Sequence, residues 1–275
     1  MKKGSFLYFG TSCDALFSHE YRSFSEGINL LTLQPYSKLQ TLLAIEKLFF
    51  LRQVHGVAGV ALNTVQGGSG VSASKDFEQL CSVRAVSSFA AFSCDGDYLI
   101  TNVPHMGIGI MTADCLPLLL YDPVTKSIAA IHAGWRGALA GIVGRALVSM
   151  QRAYGVEPQM VQAYIGPCIH PCCYQVGEQV VQALDAYSVP DCHSCCQSSL
   201  DMHRSSLATV LHQRQGSFYF DLPGFVAQQL YAAGLKKEAI SREHTCCTYC
   251  TPGYWSYRRQ GEKAGRQMSV ISLNL

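Results

Sequence analysis

One stretch in the middle of the chain, residues 112–137, constrains the fold more than any other part of the sequence. It predicts two apolar strands, Leu116–Tyr121 and Ser127–His132, joined by the turn-forming run Asp-Pro-Val-Thr-Lys. Folding this hairpin about its turn brings Cys115 opposite or nearly opposite His132. Opposed residues of an antiparallel pair share one face, with Cβ atoms about 4.5–5.5 Å apart. A thiolate and an imidazole held in this way can bind one metal ion, or act as a nucleophile and its base.

The rest of the chain predicts strands grouped around this hairpin, with helices between and after them. We expect strands at Tyr98–Thr101, Met106–Met111, Met160–Ile165 and Met268–Leu273, and helices at Lys38–Leu51, Ala138–Tyr154, Gly177–Tyr187 and Leu222–Ala233. Grouped strands with hairpin connections favour an α+β fold over a doubly wound parallel sheet. With 275 residues, 48% of them hydrophobic, the chain can bury one large core. We therefore predict a single catalytic domain over residues 1–275, with an irregular, cysteine-rich insertion at 188–203.

Charge and hydropathy exclude several classes of partner. The net charge is only +2, and Lys and Arg form no long runs, so we expect no nucleic-acid binding. No apolar run reaches the roughly 18 residues of a membrane span, so we expect no membrane association. The start of the chain has a basic opening but no sustained apolar stretch and no cleavage motif, which favours a cytoplasmic location.

The 13 cysteines are an odd number, which fits a complete disulfide framework poorly. Two pairs, Cys192 with Cys195 and Cys247 with Cys250, have the C-x-x-C spacing of structural zinc sites. Each pair lies in a different compositional context and lacks a glycine-containing turn. We therefore expect that the two pairs do not share a zinc ion, and that the extra cysteines are free thiols that pack as small apolar side chains.

A third metal ligand is available in the segment Gln53-Val-His-Gly56. If His55 meets Cys115 and His132, the three side chains offer two nitrogens and one sulfur. Zinc accepts that set, and three protein ligands leave a fourth position for water or substrate, as in catalytic sites. The same donors also suit a copper ion.

Two further residues are candidates for catalysis beside Cys115. Asp114 is a candidate proton carrier, although strand alternation turns it to the opposite face if the strand continues. Arg136 lies at the start of the next helix, where a guanidinium and free backbone N–H groups could bind phosphate.

Without a metal, the same residues would define a different enzyme, a cysteine hydrolase or deamidase that uses a Cys115–His132 dyad. Metal content of the protein separates the two readings. A multicopper laccase is disfavoured, because the chain has no His-x-His pair and only nine histidines.

Several short motifs, in the same order along the chain, resemble those of the polyphenol-oxidase laccase-domain family. They are Gln53-x-His-Gly56, Thr112-Ala-Asp-Cys-Leu-Pro117, His132-Ala-Gly-Trp-Arg-Gly137, Ile165-Gly-Pro167, Cys173-Tyr-Gln-Val-Gly177, and Ser256-Tyr-Arg-Arg259 with Gly265-Arg266. Three departures stand out, and one of them is the stretch from Tyr187 to His203, which is specific to this chain. Gln175 occupies a position where the family usually has Glu, and Gly10-Thr-Ser-Cys-Asp14 lacks the arginine of the family's N-terminal motif.

The resemblance implies a fold, a metal and an activity. It implies a four-layer αββα sandwich of two packed mixed β-sheets flanked by helices. It implies a Zn²⁺ ion held by His55, Cys115 and His132. The implied activity is a purine nucleoside phosphorylase that takes a purine nucleoside and phosphate to the base and ribose 1-phosphate. Adenosine, inosine and methylthioadenosine are the implied substrates, with adenosine deamination as a further activity. A copper-dependent polyphenol oxidoreductase remains the other alternative within the family.

Overall fold

A computed structural model describes most of the chain in atomic detail. The described residues are 4–12, 41, 43, 45–64, 71–75, 79–81, 89–187 and 209–274, and the insertion predicted at 188–203 lies outside them.

Within these ranges the structure contains sixteen strands and five α-helices. The strands are β1 Gly4–Phe9, β2 Lys47–Arg52, β3 Gly59–Thr64, β4 Val71–Lys75, β5 Gln79–Cys81, β6 Phe89–Asp95, β7 Tyr98–Thr101, β8 Met106–Thr112, β9 Leu116–Asp122, β10 Ser127–Ala133, β11 Gln162–Ile165, β12 Gln175–Val176, β13 Leu211–Arg214, β14 Ser217–Phe220, β15 Ile240–Ser241 and β16 Gln267–Asn274. The helices are α1 Trp135–Leu139, α2 Ile142–Tyr154, α3 Glu178–Asp185, α4 Leu222–Ala232 and α5 Tyr257–Gln260. No helix in these ranges is both long and apolar enough to cross a bilayer.

The strands form two large mixed sheets and one small antiparallel sheet. The first has five strands in the order β1-β16-β8-β2-β6, and the second has eight in the order β15-β11-β9-β10-β7-β3-β4-β5. The small sheet, β12-β14-β13, was not expected from the sequence. The predicted α+β class with two packed mixed sheets is confirmed.

The central strands of the eight-stranded sheet are buried on both faces, and β10 shows how. Ile128 and Ala130 pack toward the five-stranded sheet, together with Ile108 and Ile271 of that sheet. The alternate residue Ile131 packs on the other face, in the core covered by α2 and α4. Every β10 residue is buried, and the strand is apolar almost throughout. This composition is expected for a strand that is covered on both faces. The described residues thus show three of the four expected layers.

Two of the helices predicted from capping residues and apolar periodicity can be compared directly with the structure. The helix expected at Leu222–Ala233 is α4, and the predicted N-cap Asp221 accepts a hydrogen bond from the Gly224 backbone N–H at 2.9 Å. The single helix expected at Ala138–Tyr154 is divided into α1 and α2, because Gly141 adopts a left-handed φ of 82° between them.

The helix predicted over Lys38–Leu51 is wrong in its second half. Residues 47–52 form β2, in which Leu48, Phe49 and Phe50 are buried in succession. A strand covered on both faces carries a continuous apolar run, and such a run also satisfies a helical pattern over a short window.

Candidate metal centre

Three chain connections pass from the five-stranded sheet to the eight-stranded sheet at the same edge. They join β2 to β3, β6 to β7 and β8 to β9. Because β2 is parallel to both β6 and β8, these three strands end at one edge of their sheet. Each connection contributes one side chain to the candidate centre at that edge: His55 in the first, Asp97 in the second and Cys115 in the third.

The fourth contribution comes from the end of β10. In the β9–β10 hairpin His132 pairs with Pro117, so Cys115 lies two residues beyond, at the diagonal position on the same face. The predicted hairpin is therefore confirmed. Cys115 and His132 are therefore nearly opposite each other across the hairpin, not directly opposite.

His55, Cys115 and His132 lie close together in the structure, which is the arrangement that the hairpin and the family resemblance imply. One donor atom from each residue lies within 4.8 Å of the donors of the other two. The two imidazole rings meet edge to face, with centroids 4.8 Å apart. His132 is buried, Cys115 is half-buried and His55 is exposed, so the group opens to solvent on the side of His55.

A buried carboxylate that the sequence analysis did not identify orients this group. Asp97 has no exposed surface, and its Oδ1 lies 2.8 Å from Nδ1 of His132. The same carboxylate accepts hydrogen bonds from the backbone N–H groups of His55, at 3.0 Å, and Gly56, at 2.7 Å. A carboxylate on Nδ1 leaves Nε2 of His132 as the nitrogen available to a metal, which is the usual outer-shell arrangement for histidine ligands.

The charges of the centre are strongly coupled. Burial alone would raise the pKa of the Cys115 thiol, but His132 and then His55 lower it to about 6. Burial alone would lower the pKa of His132, but Cys115 and Asp97 raise it to about 9. Burial likewise opposes the charge of Asp97, yet its hydrogen bonds to His132, Gly56 and His55 keep its pKa below the ordinary value. The centre therefore favours a thiolate beside an imidazolium until a cation replaces the proton.

The backbone leaves space beside the donors where a side chain would otherwise lie. A Cβ placed on Gly134 would come 3.1 Å from Nδ1 of His55 and 3.2 Å from Sγ of Cys115. The glycine thus keeps a cradle open next to two of the three donors. A cradle lined by two nitrogens and one thiolate sulfur fits Zn²⁺ and also fits a copper ion.

Asp114, adjacent to Cys115, connects the centre to the loop that precedes α5 and to the first turn of that helix. Its backbone has a left-handed φ of 85°, which turns the side chain away from the strand. The carboxylate accepts hydrogen bonds from Thr248 Oγ1 at 2.7 Å, Ser256 Oγ at 3.1 Å and the Arg258 backbone N–H at 2.6 Å.

Arg136 is exposed in the short helix α1, and its guanidinium stacks on Trp135 with 4.4 Å from Cζ to the ring centroid. Another arginine, Arg258, lies over the ring of Tyr174 at 5.7 Å. Burial raises the pKa of Tyr174, the nearby Cys115 adds to this, and Arg258 and Arg136 oppose it. Tyr174 is thus within electrostatic reach of both the thiolate and the two arginines.

Sequence reasoning missed Asp97, Tyr174 and Arg258 as neighbours of the centre. Asp97 directly precedes the buried strand β7, and an acidic residue in that position was the available signal. Gln53, two residues before His55, forms two hydrogen bonds of 2.8 Å with the Met111 backbone. Gln175 donates to Ser217 in the small sheet.

The other cysteines divide into different groups. Among the described cysteines, seven are free, whereas Cys94 is disulfide-bonded, contrary to the expectation of free thiols throughout. Cys247 and Cys250 lie beside Cys172 and Cys173, a grouping that their spacing in the sequence does not indicate. Cys192 and Cys195 fall outside the described residues, so the prediction that they share no zinc with Cys247 and Cys250 stays a prediction.

The fold and the centre together define a two-sheet α+β protein with a three-donor candidate metal centre at the edge where the sheets are connected. Residues 33–274 match the family described as multi-copper polyphenol oxidoreductase laccase, and the chain belongs to that family.

Relatives of known name are similar over part of the chain. A purine nucleoside phosphorylase from Bacteroides thetaiotaomicron is 34% identical over 178 residues, which cover 65% of this chain and 61% of the relative. Adenosine deaminase RL5, from an unknown prokaryotic organism, is 29% identical over 177 residues, covering 64% and 61%. The chain therefore spans about three fifths of the length of these relatives.

The fold has also been observed in a solved structure. The Bacillus licheniformis hypothetical protein YfiH superposes with a TM-score of 0.66 at 24% identity, covering 87% of this chain and 80% of that protein. This similarity confirms the fold.

Proposed function

We propose that this protein is a zinc-dependent purine nucleoside phosphorylase, acting on adenosine, inosine or methylthioadenosine with phosphate, and that it also deaminates adenosine. The observation that carries the proposal is the convergence of His55, Cys115 and His132 into a centre with an open side. The names of the relatives support a purine nucleoside as substrate and phosphate as co-substrate. A cytoplasmic location is part of the same proposal.

In this proposal His55, Cys115 and His132 hold the Zn²⁺ ion, which when bound supplies Lewis acidity and activates water for the deamination. Asp97 acts as a positioning residue. Its hydrogen bonds to His132 and to the backbone of residues 55 and 56 keep two ligand-bearing segments at fixed positions.

Phosphorolysis also needs an anion pocket and a proton for the leaving base. Arg136 is our candidate for binding phosphate, because its guanidinium is exposed and oriented by Trp135. Asp114 is our candidate for moving a proton to the purine. Its carboxylate already accepts three hydrogen bonds, so proton uptake would have to weaken at least one of them.

A cysteine hydrolase or deamidase is the second candidate, and one observation favours it. Cys115 and Asp97 lie on either side of His132, so thiol, imidazole and carboxylate follow one another, with Asp97 on the Nδ1 side of the imidazole. The same order occurs in nucleophile–base–orienting-group triads. This alternative needs no metal and gives no ligand role to His55.

The test combines metal analysis with turnover of adenosine in the presence of phosphate, followed by separation of adenine, inosine and ribose 1-phosphate. We expect Cys115→Ala to lose the metal of the three-donor centre together with activity, and Arg136→Ala to keep that metal but to raise KM for phosphate. Cys246→Ala, at a half-buried free cysteine outside the three-donor group, is the matched control and should change neither.

One result would favour the cysteine hydrolase over the phosphorylase. It is that the metal-free wild-type protein hydrolyses amide substrates and shows no phosphate-dependent cleavage of nucleosides. Retained activity in His55→Ala would also favour the hydrolase.

A further inference from the structure

A second cluster of potential metal donors lies apart from the three-donor centre. It consists of four sulfurs, from Cys172 and Cys173 in the turn that follows β11 and from Cys247 and Cys250 in the loop that precedes α5. All four sulfurs lie within 4.8 Å of one another, and Sγ of Cys172 is 3.9 Å from Sγ of Cys250. No part of the proposed phosphorolysis uses these cysteines.

The spacing of the sulfurs matches a four-coordinate metal site better than a pair of disulfides. Zn–S bonds of about 2.3 Å in a tetrahedron place the sulfurs about 3.8 Å apart. A disulfide would require about 2.0 Å. All four cysteines are free, and the 3.9 Å separation needs almost no adjustment to become one edge of such a tetrahedron.

The backbone holds the two cysteine-bearing segments against each other. Cys168 and Cys247 form a short parallel bridge, in which Cys168 donates to the Cys246 carbonyl at 3.1 Å and Thr248 donates to the Cys168 carbonyl at 3.0 Å. The turn at 247–251 closes with a 3.0 Å hydrogen bond from the Thr251 N–H to the Cys247 carbonyl.

The four cysteines lie at different depths. Cys247 is buried and Cys173 is half-buried. Cys172 and Cys250 are exposed, so an ion can reach the cluster from solvent.

We propose that Cys172, Cys173, Cys247 and Cys250 bind one Zn²⁺ ion in a closed, structural site. Four thiolate ligands complete the tetrahedron, so no position remains for substrate, in contrast to the three-donor centre. Because the ligands come in pairs from two loops, the ion cross-links those loops.

This cross-link bears directly on the neighbouring centre. Thr248, within the Cys247–Cys250 turn, donates to Asp114, which is adjacent to Cys115. Arg259 donates to the carbonyls of Thr248 and Tyr249 and thereby fastens the same turn to α5. The structural zinc thus positions the loop that holds Asp114.

The test uses the full chain, purified with reductant and analysed for zinc per chain. We expect two zinc ions in the wild type and loss of one in Cys172→Ser with Cys250→Ser. We expect no loss in the neighbouring control Cys246→Ser. Hydrogen–deuterium exchange over residues 246–260 should become faster in the double variant and not in the control.

A second measurement leaves the cluster intact. In His55→Ala with Cys115→Ala, the protein should retain one zinc, and Co²⁺ exchanged into it should show the intense thiolate charge-transfer absorption of a four-cysteine site. Retention of this ion while phosphorolysis is absent separates the present proposal from the proposed function. Absence of metal and of the cobalt–thiolate absorption in this variant overturns the structural site, as does an unchanged zinc content in the Cys172 and Cys250 double variant.

Discussion

Substitution of Gly134 by alanine tests the geometry of the three-donor centre with a single methyl group. The glycine has φ −72° and ψ 164°, values that alanine adopts without strain. The effect of the substitution therefore falls on the neighbouring side chains. The new Cβ would lie 3.1 Å from Nδ1 of His55 and 3.2 Å from Sγ of Cys115.

The magnitude follows from these distances. Ordinary contacts of a carbon atom are about 3.5–4.0 Å, so the two donor atoms must move away from the new Cβ by about 0.3–0.9 Å. Metal–ligand distances tolerate only about 0.2 Å. Displacement on this scale resembles the loss of an outer-shell partner, which typically weakens metal binding 10–100-fold, or by about 1.4–2.7 kcal/mol.

The assay is competition for Zn²⁺ with a chromophoric chelator, together with urea unfolding of the metal-free protein. We expect Gly134→Ala to lose 10–100-fold in zinc affinity while the free energy of unfolding of the metal-free protein changes by no more than about 1 kcal/mol.

Gly144→Ala is the matched control, because Gly144 is exposed in α2 and a Cβ there meets no atom within 4 Å. It should leave zinc affinity unchanged and stabilise the helix by about 0.5–1 kcal/mol. Unchanged zinc affinity in Gly134→Ala would refute the assignment of the cradle to a metal.

Two further predictions concern the protons and the carboxylate of the centre. Between pH 6 and 9 the Cys115–His132 pair carries one proton, because the pKa of the thiol is about 6 and that of the imidazole is about 9. Zinc binding must release this proton, so chelator competition should show that the zinc affinity rises about tenfold per pH unit in this range. The rise should be steeper below pH 6, and the affinity should level off above pH 9. A zinc affinity that does not change with pH would contradict the coupling between the Cys115 thiol and the His132 imidazole. Asp97→Asn removes the charge beside His132 and one acceptor for the backbone N–H groups, so zinc affinity should fall about 10–100-fold. Urea unfolding of that metal-free variant should show a loss of about 1–3 kcal/mol, and wild-type values in both assays would exclude the positioning role.

Local sequence signals were sufficient for the hairpin and for two of the candidate ligands. The apolar runs on either side of the Asp-Pro turn predicted β9 and β10, and the turn set the register that brings Cys115 near His132. The start of helix α4 could also be predicted from the sequence, because its N-cap Asp221 and its first-turn Pro223 lie close together in the chain. In both cases the interacting residues are close in sequence.

Other features depended on contacts between distant segments. Asp97 reaches His132 across 35 positions, and the Cys172–Cys250 contact spans 78. No periodicity within one segment carries information about such pairs. The Asp97–His132 contact forms because three parallel strands of one sheet end at the same edge, where the chain crosses to the second sheet. The Cys172–Cys250 contact forms because the two loops that carry these residues are paired through the Cys168–Cys247 bridge.

The error at Lys38–Leu51 has the same origin. The sequence by itself determined that this segment is apolar and must be buried, but only the tertiary structure decided that residues 47–52 form a strand covered on both faces. Likewise the sequence determined which side chains have the chemistry to bind a metal. Which of them share a site was decided by the packing of the two sheets, because that packing sets the distances between residues far apart in the chain.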